Sequence, residues 1–442
     1  MKKLISLMAA ALVISTSAIA EDHVMAATKK APQRDVPAEL SLSVAEAQDY
    51  AVKANRSLRN ADLAVQQAYA QRWQTIAAML PQVDASWAYS SMCGYKMDFQ
   101  GMEIAMPDYS TTGVKASVGI SGQAIAGAVL NTIAIDMQKI ALEQSEDDLR
   151  ANVKTSYASV LVLQDVVALL DSSLLNVEKL AEMTQRSVDV GAAEQTSADQ
   201  IMVRVNTLRN NINSNKRSTQ LALNSLKVLL DVPVETELTL TSTLDDMLSA
   251  EAVLNLLGED FIPQNNLNYQ TLVKNVDLAK ANVHMAGWAY GPTVGVGYQY
   301  SNQHYYAEGG FRMTPPHAVS VSVSMPLWSS GKRAAGVTEK KIALESARNT
   351  LAETADNLGI QNQQLRFNLQ NAFETYMVEK ENMEVTQRVF QSTTNKYNYG
   401  ATSNLELVNA SNDVISAQST YVQAVLTLVN AEADLEKFLN NK

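Results

Sequence analysis

Hydrophobic residues recur along this chain with two different periods, and each period keeps to its own stretches. Leu163, Val167, Leu170, Leu174 and Val177 follow 4-3-4-3 spacing, the seam of a helix that packs lengthwise against a neighbour. Near the C-terminal end two stripes run side by side. One holds Val422, Leu426, Val429 and Ala433, the other Val425, Leu428, Leu435 and Leu439. A helix with two adjacent apolar stripes can touch neighbours on both sides, which a two-stranded coiled coil does not require. Breakers are rare in these stretches. Residues 108–232 and 327–442 contain no proline, and Gly191 is the one glycine between Gly127 and Gly258. The pattern predicts a helix over 128–190, roughly 95 Å long at 1.5 Å per residue, which returns over 196–230. A second hairpin is expected over 335–398 and 403–440, and Gly191 and Gly400 mark the two turns.

Between the helical blocks, four stretches alternate with period two. Val83, Ala85, Trp87 and Tyr89 alternate with Gln82, Asp84, Ser86 and Ala88, and the same holds for the series through Val114, Val294 and Val319. They predict strands over 82–91, 112–124, 292–302 and 317–327. One face of each is apolar or aromatic and the other small or polar. A soluble sandwich strand has this alternation with its apolar face on a core; a membrane β-strand has it with that face in lipid. Trp87, Tyr89, Trp288, Tyr290, Tyr298, Tyr300 and Trp328 lie in or beside the strands, and such aromatics suit a membrane interface. Four strands cannot close a barrel, and an open sheet edge is not tolerated in lipid, so several copies are expected to share one barrel.

The order helix, proline, strand, loop, strand, long helix, glycine turn, helix occurs twice. Gly191 and Gly400 are 209 residues apart, and Pro81 and Pro292 are 211 apart. This divides the chain into a first repeat over 41–235, a linking or equatorial segment over 236–265, and a second repeat over 266–442. Ahead of them, Met1-Lys2-Lys3, the apolar run Leu4 to Ile19 and the small-residue site at Ala18-Ile19-Ala20 read as a signal peptide over 1–20. A later cleavage site at Met25-Ala26-Ala27 and a membrane anchor are the alternatives. Residues 21–40, with Pro32 and Pro37, form a flexible lead-in.

Charge and composition narrow the function. The formal charge is −11, from 35 Lys+Arg against 46 Asp+Glu, which argues against a nucleic-acid backbone as partner. Cys93 is the only cysteine, so no intrachain disulfide and no thiolate-rich metal site is possible. Histidine is limited to His23, His284, His304 and His317. No G-x-S-x-G, H-E-x-x-H, paired-cysteine or Walker A motif is present, so neither an enzyme nor a cofactor is expected.

Several segments resemble the TolC-like outer-membrane efflux protein family. They are Leu42 to Asn60, Ala78 to Val83, Ser324-Met325-Pro326-Leu327-Trp328, and the two glycine turns with their flanks Val188-Asp189-Val190 and Tyr397 to Ser403. The resemblance covers about 41–442. It implies a homotrimer in the outer membrane, with twelve strands in one β-barrel and the helical hairpins forming an α-barrel in the periplasm. It also implies docking through the tips at Gly191 and Gly400 onto a periplasmic adaptor and an inner-membrane pump or secretion ATPase. A periplasmic coiled-coil scaffold without a channel is the alternative.

The resemblance also assigns a periplasmic entrance. Glu406 keeps an acid that the family uses to narrow the mouth; Asn409 stands where TolC has a second one. A ring of carboxylates favours cations, and a solvated helix residue is the plain alternative for Glu406. Tyr397 matches the family's gate tyrosine and can equally be a packing residue. Thr402 replaces a basic residue. Asp199 is the matching acid on the first hairpin if two residues are inserted after Gly191. The two tip glycines can serve as helix caps alone. In the outer loops, Met92, Cys93, Met97, Met102 and Met106, with His304, Met313 and His317, have the ligand chemistry of Cu(I) or Ag(I); surface contact is the ordinary role of such residues, and no metal site is assigned.

Overall fold

The computed structural model describes residues 39–99, 101–191, 194–306 and 315–440. The expected signal peptide, the lead-in up to residue 38 and Met313 lie outside the described residues. In chain order the strands are β1 (Glu39–Leu42), β2 (Gln82–Ser90), β3 (Lys96–Phe99), β4 (Met102–Ala105), β5 (Tyr109–Ser121), β6 (Glu237–Leu240), β7 (Thr293–Tyr305) and β8 (His317–Ser324). The helices are α1 (Val44–Ala54), α2 (Arg56–Ala77), α3 (Gly122–Asp189), α4 (Gln195–Leu229), α5 (Leu244–Met247), α6 (Ala250–Gly258), α7 (Leu267–Gly287), α8 (Lys332–Asn398) and α9 (Asn404–Leu439). They form two compact units. One holds 63–139 and 271–352; the other holds the described residues up to 62, together with 140–270 and 353–440.

The first unit contains an antiparallel sheet of order β2-β5-β7-β8. Its register sets Val83 opposite Ala116, Val296 opposite Val118, and Val321 opposite Val296, so one face is apolar across all four strands. That face is bare within the chain: Trp87 is 67% exposed and Val319 74%. On the other face Gly295 lies opposite Ser322 and Gly297 opposite Ser320. A Cβ at either glycine would come within 2.8–2.9 Å of the facing serine hydroxyl, so this close pairing depends on glycine.

Strand ends depart from the alternation by a few residues, each for a local reason. β5 stops at Ser121, three residues short of the expected end, because the Ser121 hydroxyl accepts a 3.1 Å hydrogen bond from the Ala124 N–H and opens α3. The long helix thereby begins at Gly122, six residues early. β7 continues to Tyr305, which pairs with Tyr109 with ring centres 5.6 Å apart. β8 ends at Ser324, two residues before Pro326, whose ring nitrogen has no hydrogen to donate. The strand-to-helix joint at Gly122 admits no side chain, since a Cβ there would lie 2.1 Å from the Trp288 indole. Sequence patterning also passes over the β3–β4 hairpin inside the first outer loop.

The second unit is built on helices. Ser43 caps α1 reciprocally with Glu46, and Asn55 ends α1 while its Oδ1 accepts from the Ser57 and Leu58 amides to start α2. The Tyr157 hydroxyl on α3 donates to the Leu42 carbonyl at 2.8 Å and accepts from the Ser242 amide at 3.0 Å, holding the parallel β1–β6 pair against the helix. Around it Leu226, Leu230, Leu369, Val425, Leu428, Leu435 and Leu439 form the larger core. A second core nearer the tips joins Leu170, Val177, Leu180, Ile201, Val205, Leu208, Phe390 and Leu407.

Both stripes of α9 enter these cores, and so do Leu170 and Val177 of the α3 seam, with Leu174 packed beside them, but the first part of that seam is displaced. Val162 and Val166 are buried where Leu163 and Val167 are only half covered. A helix with apolar residues on two flanks has more than one seam, and spacing alone does not say which faces inward. An 18-residue window of α3 has a mean hydropathy of 1.7, yet only 39% of it is buried, so this helix retains a bare apolar flank. The segment 236–265 contains β6, α5 and α6.

Asp165 on α3 is held above the ordinary carboxylate range by desolvation, with Asp245 adding to it. Asp245 itself pairs with Lys380 at 3.3 Å. A carboxyl raised in the folded state binds extra protons there, so stability is lost as pH rises from the unfolded-chain value through the folded one. Asp165→Asn is therefore expected to raise the unfolding midpoint at pH 7, with the gap to the parent closing as pH falls below about 4, the unperturbed Asp range. Unfolding curves across that range test it, and a gap that widens toward acid contradicts it.

Candidate functional site at the hairpin tips

Each hairpin turns on a glycine in the left-handed region, Gly191 with φ +75° and Gly400 with φ +70°. At the second tip the Gly400 N–H donates to the Tyr397 carbonyl and the Ala401 N–H to the Lys396 carbonyl, both at 2.9 Å. That pair of bonds is a Schellman cap, and it consumes carbonyls that α8 would otherwise leave open. At the first tip the Gly191 N–H donates to Val188 at 2.9 Å. Among the described residues no other group lies within 4 Å of a Cβ built on either glycine, so backbone conformation selects glycine here.

After the second turn, Ser403 caps α9 by accepting from the Glu406 amide at 3.3 Å. The Glu406 carboxylate in turn accepts from the Thr402 hydroxyl. Thr402 and Glu406 are thus brought together within one segment. Asp199 accepts from Gln195 at 2.8 Å on its own helix. Tyr397 is half buried and packs on the core nearer the tips, and Asn409 is exposed. Of the five residues expected at an entrance, Thr402 is hydrogen-bonded to Glu406, and Asp199 has a partner on its own helix, α4.

The tie between the hairpins near the tips comes from Arg204. From α4 its Nε donates to Ser411 Oγ at 2.7 Å and a terminal nitrogen to Asn412 Oδ1 at 2.8 Å, both on α9. The other terminal nitrogen is buried without a hydrogen-bond partner. No acid is bonded to this guanidinium, and burial lowers its pKa. Sequence patterning passes over Arg204. Its signal is an arginine set among the inward positions Ile201, Val205 and Leu208, where the charge must be led to an acceptor across the interface.

Farther from the tips the hairpins are joined by ion pairs. Lys154 meets Glu432 at 3.2 Å and Glu436 at 2.9 Å, and Lys437 meets Asp148 at 2.6 Å. Thr155 adds a 3.1 Å hydrogen bond to Asn430. Ion pairs therefore join α3 to α9 far from the tips, and an arginine with neutral acceptors joins α4 to α9 near them.

In the outer loops, His317 Nδ1 is 2.8 Å from the Tyr298 hydroxyl, and His304 stands edge-on to Tyr306. Cys93 is exposed. Among the described residues no group of three or more His, Cys, Asp or Glu is placed to hold a metal ion.

Two helical hairpins with arms of 35 to 68 residues stand on one chain with four antiparallel strands that bare one apolar face. The chain belongs to the family described as outer membrane efflux protein, which matches residues 49–231 and 262–441. It is an outer-membrane protein with a periplasmic extension. It is 22% identical over 306 residues to the toluene efflux pump outer membrane protein TtgC of Pseudomonas putida, covering 66% of this chain and 60% of TtgC. The chain thus spans about 60% of the length of the curated relatives it matches. The solved structure of CusC superposes with a TM-score of 0.71 at 16% identity, covering 93% of this chain and 96% of CusC. VceC of Vibrio cholerae gives a TM-score of 0.68 at 15% identity, covering 90% of this chain and 96% of VceC. These channels share the fold.

Proposed function

We propose that this chain is the outer-membrane exit duct of a tripartite efflux or type I secretion system. It would take substrates from an inner-membrane pump and a periplasmic adaptor and release them outside. The observation that carries this reading is the four-stranded sheet with a bare apolar face on the same chain as two long helical hairpins. In this reading three copies close a twelve-stranded barrel, β8 of one pairing with β2 of the next, and the exposed apolar flank of α3 is covered by a neighbour. The two matched stretches on either side of 232–261 support an internal duplication. Conduction down such a duct needs no catalytic group and no cofactor, and the energy comes from the pump.

The hairpin tips form the periplasmic entrance. Three copies of Glu406 would set one ring of carboxylates, with Asn409 contributing no second ring, so cation preference is modest. Gly191 and Gly400 present the tips to the adaptor. Arg204 holds the two hairpins of each copy together just behind them.

Single-channel conductance of the purified protein in planar bilayers tests the duct, with Glu406→Gln compared for selectivity. Small, steady channels whose cation preference falls in the variant are expected. Unchanged selectivity would remove Glu406 from the mouth, and folded protein that never enters the membrane would overturn the duct itself.

A further inference from the structure

Between β8 and α8 the chain turns over 325–331, and there Leu327 is 87% exposed and Trp328 86%. Met325 and Leu327 follow Val319, Val321 and Val323 at the same spacing, so the exposed apolar series of β8 carries on into the turn. The turn is held by specific bonds. Ser330 and Gly331 lie in the left-handed region, with φ +47° and +80°, and the Lys332 N–H donates to the Ser329 carbonyl at 2.9 Å. Arg333 closes it from the first turn of α8. Its Nε donates to Ser329 Oγ at 3.0 Å and one terminal nitrogen to the Pro326 carbonyl at 2.5 Å. The same guanidinium lies over the Tyr290 ring, 4.9 Å from its centre. Two large apolar side chains are thus held outward by a charged clamp.

The cations beside them lack a counter-charge. The other terminal nitrogen of Arg333 makes no hydrogen bond to the protein and is not buried. Lys332 is exposed, and among the described residues its ammonium has no ion-pair partner. No Asp or Glu occurs between His317 and Glu339, and Glu339 is taken by Lys340 at 2.8 Å. Apolar exposure next to unanswered positive charge fits a partner that brings both hydrocarbon and an anion. A second copy answers only the apolar half. In the proposed barrel its β2 meets β8, and the near end of β2, Ala78 to Val83, carries no acid.

We propose that this turn binds the headgroup of an anionic phospholipid, with Leu327 and Trp328 among the acyl chains and the phosphate held by Lys332 and the open nitrogen of Arg333. A guanidinium has donors to spare for this: one edge clamps the turn while the other meets a phosphate oxygen. Tryptophan suits the depth at which chains give way to headgroups, and basic residues next to it favour anionic lipid. The joint from strand to helix is the place on this chain where membrane gives way to periplasm. The inference rests on the sheet being the part in the membrane and does not depend on conduction.

Tryptophan quenching by brominated phospholipids tests it, on purified full-length protein in mixed vesicles of phosphatidylglycerol and phosphatidylcholine. One set of vesicles carries the bromine on phosphatidylglycerol and the other on phosphatidylcholine, and the difference between the parent and Trp328→Phe isolates Trp328. Brominated phosphatidylglycerol is expected to be preferred at Trp328 by about fivefold. Lys332→Gln, which leaves the Arg333 clamp in place, should halve that preference or more, and Lys332→Glu should abolish it. Equal quenching by the two lipids, or a preference that neither variant changes, overturns the phosphate site. Quenching that Trp328→Phe leaves unaltered overturns the lipid contact and gives the turn to a second copy. A parent protein with no quenching at all counts against membrane entry itself, and so against the duct as well.

Discussion

For the proposed duct, Arg204→Ala is expected to raise the open fraction in planar bilayers by about tenfold. The substitution removes two charge-assisted donations that cross from α4 to α9 at 2.7 and 2.8 Å. Each such bond contributes about 1.5–3 kcal/mol, and rebonding of Ser411 and Asn412 to water recovers part of it. A remainder of about 1.4 kcal/mol is tenfold in the equilibrium. Because the acceptors are neutral, the effect should depend little on salt, in contrast to an ion pair. Arg204→Lys keeps the charge but not the fork of donors, and should lie between. An unchanged open fraction in a variant that assembles like the parent would show that closure does not use this tie. The ion pairs of Lys154 and Lys437 stay in place in this experiment, so α9 remains anchored at its far end.

Tyr157→Phe is expected to lower the stability of the helical unit by about 1–3 kcal/mol. The tyrosine is fully buried, and its hydroxyl serves a carbonyl at Leu42 and an amide at Ser242. Removing it leaves the Ser242 amide without its partner while the Leu42 carbonyl still accepts from the Thr241 amide at 3.0 Å and the ring still fills its space; one such orphan costs about 1–3 kcal/mol. Denaturant unfolding followed by far-UV circular dichroism measures the loss. A midpoint equal to that of the parent would mean that water replaces the hydroxyl at the Ser242 amide, and that β1 and β6 do not depend on it.

Long helices and strands were the legible part of the sequence, because each is written by a repeating choice over many residues. Gly400 fixed a turn that only a left-handed residue makes cheaply, and the alternation through Val319, Val321 and Val323 fixed which face of β8 is apolar. What spacing could not convey were choices settled by a single partner. Ser121 ends β5 by capping a helix, and nothing in the alternation before it announces the change. Val162 and Val166 displace Leu163 and Val167 from the core because α3 carries more than one apolar seam. The entrance shows the same division. The cap at Ser403 and the position of Glu406 follow from local sequence, whereas Asp199 turns to Gln195 and the link across the hairpins falls to Arg204. A bond across 207 residues of sequence is not written in either helix alone.

The glycine and serine face of β7 and β8 bears on how a duct of this kind treats its cargo. Gly295 and Gly297 offer no side chain, and the Ser320 and Ser322 hydroxyls turn back toward the backbone carbonyls opposite them. In the proposed duct these four positions would give a passing molecule neither a charge nor an apolar ledge, the nearest charges on that face being Lys115 and Asp84 on β5 and β2. Molecules of very different chemistry would slide along it with similar ease. Selection is then left to whatever loads the channel, and this stretch of the chain is shaped for indifference.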